Sequence, residues 1–464
     1  MIATRQLAFH DPYSYSVPGH LWLNHEWLSE LLMGAVYQAF GIIGLKLMKF
    51  GCCAAVILSL ASGIAETDSP MTIQFAILLA TSIAIAPQMQ FRPQLFTFVL
   101  MSALLAILAR YTYRGRAPVW LAIPVLALWA NLHGGFIAGL GVLGTFSTIV
   151  LLQDLFEGRG SRRGLKLLAI LIASTLATLA TPYGIGTWQT VAHAMTNPRT
   201  REVIDDWQPL LRAFIAMWQR NHAGAIPLIV ALAMFVSLAA RLAINPRRDD
   251  LPIVAIAAMM IVAAVIAMRN LPLAVIACAI PLAHHSSWAV REGPLRKHSR
   301  FNQIVVGTVA VMLLIESGLL SPTLRAGSPK PVGAISFMLA HRMSGNIMTD
   351  FAWGEYVIWH LAPPTKVFID GRYDTVYPPE VIDDYLTFQF GETGAKEVLR
   401  KYPHDFILLS PKNEAVLAVV EAAPEWKRIY RDGSCILFAR ADSAAAKIAT
   451  VDVPTQRTPA DYFP

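Results

Sequence analysis

The feature that most constrains this sequence is a series of ten apolar stretches between residues 44 and 320. Each is long enough, or nearly so, to cross a hydrocarbon core about 30 Å thick. Hydrophobic residues make up 55% of the chain and charged residues only 15%, against about 25% charged in ordinary soluble proteins. The sequence therefore predicts an α-helical polytopic membrane protein with about ten or eleven transmembrane helices. The stretches are 44–64, 71–87, 94–110, 118–132, 136–155, 166–181, 224–243, 251–268, 271–286 and 303–320.

Basic residues lie almost entirely on one side of these stretches. Four alternate connections, at 110–116, 159–166, 241–248 and 291–300, carry fourteen arginines and lysines. The opposite connections hold Arg92, Arg269 and four arginines spread over a loop of about forty residues. The positive-inside rule places the four basic connections in the cytoplasm. We therefore expect a multi-pass protein of the bacterial inner membrane whose C-terminal part is periplasmic.

The rest of the chain divides by composition. Residues 1–43 predict a periplasmic N-terminal loop and an interfacial helix, and 44–320 predict the transmembrane domain. After a proline-rich linker, apolar strands at 366–370, 405–410 and 435–439 alternate with helices at 379–390, 395–402 and 414–422. Residues 321–445 therefore predict a small periplasmic α/β domain, and 446–464 a flexible tail.

The charge distribution and the cysteine spacing disfavour nucleic acid as a partner and disulfides or zinc as stabilising elements. The net charge of +7 is scattered over four connections, which suits anionic membrane lipids and does not predict a nucleic-acid-binding face. The four cysteines have no disulfide or zinc spacing. Paired outer acids could hold a divalent cation, but no cofactor follows from their spacing.

Unusual polar residues gather at the outer ends of the apolar stretches, where they predict a crevice at the membrane surface. Each also has a structural interpretation. Asp11 precedes a proline and could start a turn, Glu26 could cap the following helix, and His133 could satisfy a backbone carbonyl. Arg92 could be an interfacial anchor. The candidate site residues are Asp11, His25, Glu26, Arg92, His133, Arg269 and Asn270.

These motifs resemble a widespread group of bacterial polytopic membrane proteins placed near the GT-C superfamily of membrane glycosyltransferases. The resemblance covers nearly the whole chain. The motifs are 11–30 (DPYSYSVPGHLWLNHEWLSE), 129–136 (WANLHGGF), 269–272 (RNLP), 351–356 (FAWGEY) and 367–374 (VFIDGRYD). In the group, a further helix and an acidic, tryptophan-rich motif precede the first of these, so the resemblance implies a chain truncated at its N-terminus.

The resemblance implies transfer of a sugar from a polyprenyl-phosphate-linked donor to a cell-envelope acceptor at the periplasmic face. An outer carboxylate would be the general base, with Asp11 as first choice and Glu26 as second. Arg92 and Arg269 would bind the phosphate. His133 would contact sugar hydroxyls, with His25 and Asn270 as further substrate-binding candidates.

The predicted outer domain adds a charged turn, formed by Asp370, Arg372 and Asp374. This turn could close an acceptor site, or Asp370 and Arg372 could form an internal pair that fixes the loop. Two other functions remain open for the whole chain. One is a transporter or flippase for a lipid-linked solute, and the other is a non-catalytic envelope assembly protein.

Overall fold

A computed structural model describes residues 7, 9–196, 205–220, 222–244, 249–287 and 330–453. The chain divides into two compact units. Residues 25–320 form a helical unit, and residues 3–24 with 321–464 form an α/β unit. The short segment before the first helix, which the sequence assigns to a loop of its own, is thus part of the α/β unit.

The helical unit follows the apolar stretches of the sequence. Nine of the ten stretches coincide with helices, and 303–320 lies outside the described residues. Two further helices, α7 and α8, occupy the long outer loop. The helices are α1 Trp27–Ala65, α2 Met71–Ile85, α3 Gln94–Arg114, α4 Ala122–Leu132, α5 Phe136–Phe156, α6 Arg162–Ala177, α7 Ile185–Thr196, α8 Leu210–Arg220, α9 Ile226–Ile244, α10 Leu251–Ile266 and α11 Leu271–Ser286.

The exterior of this unit suits lipid. Five of its helical segments are long and apolar enough to cross a membrane, and large apolar side chains such as Phe40, Leu58 and Ile172 are exposed on helix surfaces. The centre is α11, all of whose residues are buried. The prediction of a polytopic membrane protein is confirmed.

Helix α1 is interrupted, because Gly41 has a left-handed φ of 58°. Only glycine adopts this conformation readily. The 39 residues of α1 would span about 58 Å if straight, nearly twice the hydrocarbon core. The break separates a first segment from the stretch after Gly41, which is long enough to cross a membrane by itself. The assignment of the first segment to the membrane interface stays a prediction.

The α/β unit contains a six-stranded mixed sheet in the order β2-β1-β3-β5-β4-β6. Strand β1 is parallel to β2 and β3, β5 is antiparallel to β3 and β4, and β6 is parallel to β4. The elements are α12 Val332–Ala340, β1 Asn346–Thr349, α13 Gly354–Leu361, β2 Lys366–Val367, α14 Pro379–Gln389, α15 Ala395–Lys401, β3 Phe406–Leu409, α16 Glu414–Glu421, β4 Trp426–Arg431, β5 Ile436–Arg440 and β6 Val451–Asp452.

Three strands were not predicted, namely β1, β4 and β6. Strand β6 corrects the expectation of a flexible tail for residues 451–452, because Val451 pairs with Tyr430. Beyond the outer edge of β2, Ser14 forms a parallel bridge with Val367. The backbone of Val367 exchanges hydrogen bonds with Tyr13 and Tyr15 at 2.9 and 3.1 Å. The N-terminal segment thus covers an edge that would otherwise be open.

Candidate functional site

The candidate site of the helical unit begins at a break between two membrane helices. Helix α4 ends at Leu132, and α5 begins at Phe136. His133 between them has extended backbone geometry (φ −165°, ψ 147°) and is 9% exposed. The break directs a histidine side chain inward at the end of two apolar helices.

One nitrogen of His133 is held as an acceptor. The backbone N–H of Gly135 donates to Nδ1 at 2.9 Å, so Nδ1 carries no proton. Thr97 Oγ1 lies 2.8 Å from the same atom and accepts a hydrogen bond from Trp129 Nε1 at 2.8 Å. The hydroxyl proton of Thr97 is therefore directed at Nδ1. In the neutral ring, the remaining proton of His133 must be on Nε2.

Gly135 is required for this arrangement. A Cβ atom at this position would lie 2.4 Å from Thr97 Oγ1 and 3.0 Å from His133 Nδ1. Any larger residue would therefore separate the threonine from the histidine. Gly135 therefore leaves room for the hydrogen bonds of His133.

The Nε2 atom of His133 points toward a carboxylate. It lies 3.3 Å from Oε1 of Glu26, and His25 Nε2 lies 3.8 Å from the same oxygen. Glu26 is at the N-cap position of α1, but its side chain makes no capping hydrogen bond. The carboxylate is 28% exposed. The capping interpretation of Glu26 is therefore not what the structure shows.

The start of α1 is fixed against the end of α4. Trp27 Nε1 donates to Asn131 Oδ1 at 3.0 Å, and Ser29 Oγ donates to the Leu132 carbonyl at 2.5 Å. These bonds hold Glu26 opposite His133, because the residues that make them are neighbours of both. The carboxylate and imidazole are thus positioned by two rigid helices.

Both histidines favour the neutral form. Burial, with a smaller contribution from the positive charge of Arg269, lowers the pKa of His25 to about 4. Burial, Arg269 and His25 together hold the pKa of His133 well below its usual range. Two neutral imidazoles and one carboxylate therefore lie within the electrostatic field of an arginine. The sequence placed all four in one crevice, and the structure brings them together.

Arg269 is anchored by the long outer loop. Its guanidinium lies 4.1 Å from the ring centroid of Trp207, and the adjacent Met268 N–H donates to the Gln208 carbonyl at 2.9 Å. A cation–π contact holds the guanidinium in place, and a guanidinium can bind an anion through its paired donors. Arg269 also directly precedes the buried helix α11, which fixes its position at the end of the unit.

Asn270 and Arg92 each lie just before the first residue of a helix, but they make different contacts. The amide of Asn270 donates to the Ala263 carbonyl at 3.0 Å and so closes the end of α10. Arg92 is exposed just before α3, the helix that carries Thr97, and it forms no ion pair with another described residue. Its position suits either an interfacial anchor or a contact to a charged headgroup.

Asp11 belongs to a different cluster, within the α/β unit. Arg372 donates to Asp11 Oδ1 at 2.6 Å and to both oxygens of Asp370 at 2.8 and 2.6 Å. Asp11 also accepts the backbone N–H groups of Tyr13 and Ser14 at 3.0 and 3.1 Å. Its side chain is fully buried. Both carboxylates are thus engaged in internal contacts.

Aromatic and polar side chains surround the guanidinium of Arg372. Its guanidinium carbon lies 4.8 Å from the ring of Trp22 and 5.3 Å from that of Tyr13, and Ser14 Oγ accepts from it at 3.2 Å. Burial alone would lower the pKa of Arg372, but Asp370 most of all, with Tyr377 and Asp11, raises it above its usual range. Of the two interpretations of this turn, the internal pair is present, and it extends to Asp11. The side chain of Asp374 lies outside the described part of the structure.

The sequence did not single out Thr97, Trp129 or Trp207 as functional. Thr97 and Trp129 fall within apolar stretches, where they look like ordinary lipid-facing or core residues. A hydroxyl in the first turn of a membrane helix, opposite a histidine at a helix break, is the signal that could have found Thr97. Trp207 lies in the long loop between apolar stretches, and its contact with Arg269 depends on the fold.

Solved structures were found that share the architecture of this chain. The oligosaccharyltransferase from Archaeoglobus fulgidus in the apo form gives a TM-score of 0.50, with 11% identity over 97% of this chain and 69% of that one. The same enzyme tethered with an acceptor peptide containing the NVT sequon gives 0.51, with 12% identity over 94% and 68%. It is a GT-C glycosyltransferase. This chain has the GT-C fold.

The resemblance seen in the sequence motifs is therefore confirmed for the fold. ArnT from Cupriavidus metallidurans, solved bound to undecaprenyl phosphate, also matches, with 14% identity over 93% of this chain and 91% of that one and a TM-score of 0.43. No protein-family model matches the chain, and neither does any curated protein sequence. At identities this low, the GT-C fold does not by itself assign an activity.

Proposed function

We propose that this GT-C protein transfers a sugar from a polyprenyl-phosphate-linked donor to a cell-envelope acceptor at the periplasmic face of the bacterial inner membrane. The observation that carries the proposal is the pairing of Glu26 with His133 at the end of the helical unit, 3.3 Å apart. Arg269 lies close enough to lower the pKa of the neighbouring histidines. A carboxylate and a fixed cation are the two groups that such a transfer needs.

Glu26 is the general base in this proposal. The sequence favoured Asp11, but Asp11 accepts an arginine and two backbone N–H groups and is buried. These donors already occupy lone pairs of the carboxylate, and its burial keeps an acceptor hydroxyl away from it. Glu26 is 28% exposed and lies 3.3 Å from His133, so an acceptor hydroxyl can reach the carboxylate and pass its proton to it.

His133 would orient this base. Its Nδ1 is fixed as an acceptor by Gly135 and Thr97, so its Nε2–H can donate to Glu26 and orient the carboxylate. The same ring could instead donate to a sugar hydroxyl once a donor is bound. His25, also neutral, lies on the other side of the carboxylate and would contact the sugar or the acceptor.

Arg269 would bind the phosphate of the donor. In the transfer, the acceptor oxygen forms a bond to the anomeric carbon while the bond from that carbon to the phosphate oxygen breaks. The acceptor proton passes to Glu26, and the electron pair of the broken bond leaves with the polyprenyl phosphate. A guanidinium cannot lose its charge and offers paired donors to the phosphate. Arg92 is a second candidate for the phosphate.

The proposed sidedness follows from the arginine distribution. Thr97 at one end of α3 belongs to the proposed site, whereas Arg110 and Arg114 at the other end pair with Glu66. If the basic end faces the cytoplasm, the Glu26–His133 pair faces the periplasm. On the same rule the α/β unit is periplasmic. Membrane lipids would surround the helices, and the acceptor would be a component of the cell envelope.

The position of the polar groups favours transfer over transport. A transporter binds its solute near the midplane of the membrane, at the interface of internal repeats. Here the described polar cluster lies at the ends of α1, α3, α4 and α10. A lipid-linked donor whose headgroup stays at the surface would meet the cluster at this depth. A non-catalytic assembly role would give the Glu26–His133 pair no purpose beyond folding.

The experiment compares complementing variants in a strain that lacks this protein. Envelope glycans are extracted and analysed by mass spectrometry, with protein levels measured in the same membranes. We expect wild type to restore a sugar modification and Glu26→Gln to reduce the rate about 10²- to 10⁴-fold, the usual range for a lost general base. Glu30→Gln, in the first turn of the same helix, is the matched control.

The outcomes separate the proposals. Full restoration by Glu26→Gln would show that Glu26 is not the base, and loss of activity in Asp11→Asn at normal protein level would return that role to Asp11. Movement of a lipid-linked sugar across liposomes without chemical change would identify a flippase. If Glu26→Gln is fully functional and only deletion of residues 325–464 removes function, an assembly role is the better explanation.

A further inference from the structure

A second cluster of ionisable side chains lies at the opposite end of the helical unit. Asp249 and Asp250 precede α10, and His284 and His285 lie in the last turn of α11. One carboxylate oxygen of each aspartate and one ring nitrogen of His284 lie within 4.8 Å of one another. The proposed transfer reaction makes no use of this cluster.

The distances within the cluster suit a small metal ion. His284 Nε2 lies 3.3 Å from Asp249 Oδ2. Tetrahedral zinc holds nitrogen and carboxylate oxygen at about 2.0–2.2 Å, which places neighbouring ligand atoms about 3.3–3.5 Å apart. This pair therefore already has the separation of two ligands of one ion. The oxygen of Asp250 would need to approach by little more than an ångström at most.

The surroundings of Asp250 resemble the support that metal ligands receive in proteins. Tyr113 donates to Asp250 Oδ2 at 3.1 Å, and His285 Nε2 lies 3.2 Å from Oδ1. Asp250 and His285 are both completely buried. Hydrogen-bond partners that do not themselves bind the metal orient a ligating carboxylate in this way, and they are typical of metal sites. A bound cation would also offset the cost of burying the Asp250 carboxylate.

We propose that Asp249, Asp250 and His284 bind a divalent transition metal ion, for which zinc is the best fit. One imidazole and two carboxylates favour zinc and its neighbours over magnesium and calcium, which prefer oxygen ligands alone. Three protein ligands leave a fourth position for water. His285 and Tyr113 support the carboxylate of Asp250.

The position of the cluster gives the metal a structural role. Helices α10 and α11 form a hairpin whose turn carries Arg269, and the metal would join the two free ends. The 16 residues of α10 span about 24 Å, so the ion would be far from the Glu26–His133 pair. By tying the hairpin at its open end, it would hold α11 in register with α10 and thereby fix the turn.

The test uses untagged, full-length protein purified in detergent and freed of metal with a chelator. Co²⁺ is titrated as a spectroscopic substitute for Zn²⁺, and bound metal is counted by elemental analysis after dialysis. We expect one equivalent per chain, displaced by Zn²⁺ and not by Mg²⁺. His284→Ala and Asp249→Asn should weaken binding at least tenfold. His341→Ala and Asp442→Asn, in the α/β unit, are matched controls and should bind as wild type does.

A second measurement guards against a folding defect. Asp249 is 63% exposed, so Asp249→Asn preserves the shape of a surface side chain. Zn²⁺ should raise the thermal midpoint of wild type and leave that of Asp249→Asn unchanged, because only a metal that binds the folded state stabilises it. The absence of saturable Co²⁺ binding, or equal binding by wild type and both ligand variants, would overturn the proposal and leave two His–Asp ion pairs. Neither result depends on sugar transfer.

Discussion

The buried arginine of the α/β unit offers the sharpest stability prediction. Replacing Arg372 with methionine removes a guanidinium that is 14% exposed and leaves Asp11 and Asp370, both completely buried, without their cation. Breaking a buried ion pair by removing one partner costs about 3–5 kcal/mol. We expect the lower part of this range, because the two carboxylates can take up protons and the methionine keeps some contact with Trp22.

Cys435 provides the assay, because it is buried in the core of the same unit and burial raises the pKa of its thiol to about 12. It can react with a thiol reagent only when the unit opens. In a background of Cys52→Ser, Cys53→Ala and Cys278→Ala, labelling of Cys435 under mild denaturant reports this opening. A loss of about 3–5 kcal/mol corresponds to an increase of about 10²- to 10⁴-fold in labelling rate.

The matched control is Arg440→Met. Arg440 pairs with Asp442 at 3.2 Å on the surface, where the two side chains are 44% and 73% exposed. Exposed pairs contribute roughly 0–1 kcal/mol, so labelling of Cys435 should change less than about fivefold. If Arg372→Met labels no faster than Arg440→Met, then the Asp11–Arg372–Asp370 network does not stabilise the unit, and the reasoning that removes Asp11 from the proposed site fails with it.

Two further predictions concern the polar cluster of the helical unit. Thr97→Val removes the hydroxyl directed at His133 Nδ1. The loss of a hydrogen bond worth about 1–3 kcal/mol should lower the rate of sugar transfer about 5- to 100-fold with the protein level unchanged. Thr112→Val, in the same helix, should leave the rate unaltered. The pKa of His25 is lowered to about 4, so the folded state binds fewer protons than the unfolded state. The contribution of His25 to the free energy of unfolding should therefore be fully present above about pH 6.5 and be lost as the pH drops toward 4. The thermal midpoint of His25→Gln should fall less than that of wild type over this range. Equal falls would contradict the lowered pKa of His25.

Much of the fold could be predicted from local sequence. Apolar stretches of membrane length coincide with helices α2 to α6 and α9 to α11, because a backbone in lipid must satisfy its hydrogen bonds within one segment. The predicted strands at 366–370, 405–410 and 435–439 are present, although β2 is shorter than expected. Strands β1, β4 and β6 were missed, since β4 is rich in charged residues and β6 is only two residues long.

The site was predicted in part. His25, Glu26, His133 and Arg269 each stood out as costly polar residues at the ends of apolar stretches, and the structure groups them. Asp11 stood out for the same reason, but no local pattern could reveal a partner 361 residues away. Thr97 was invisible for the opposite reason, since a threonine in an apolar helix has no distinctive sequence signal.

Hydropathy and charge alone determined that this chain lies in a membrane, where most of the described helices fall and which ends of them carry polar groups, because lipid imposes the same requirement on each segment separately. Only the tertiary structure decided which carboxylate faces a histidine and which is enclosed by an arginine. Contacts between residues far apart in sequence depend on how helices and strands pack, and that packing sets the difference between Glu26 and Asp11.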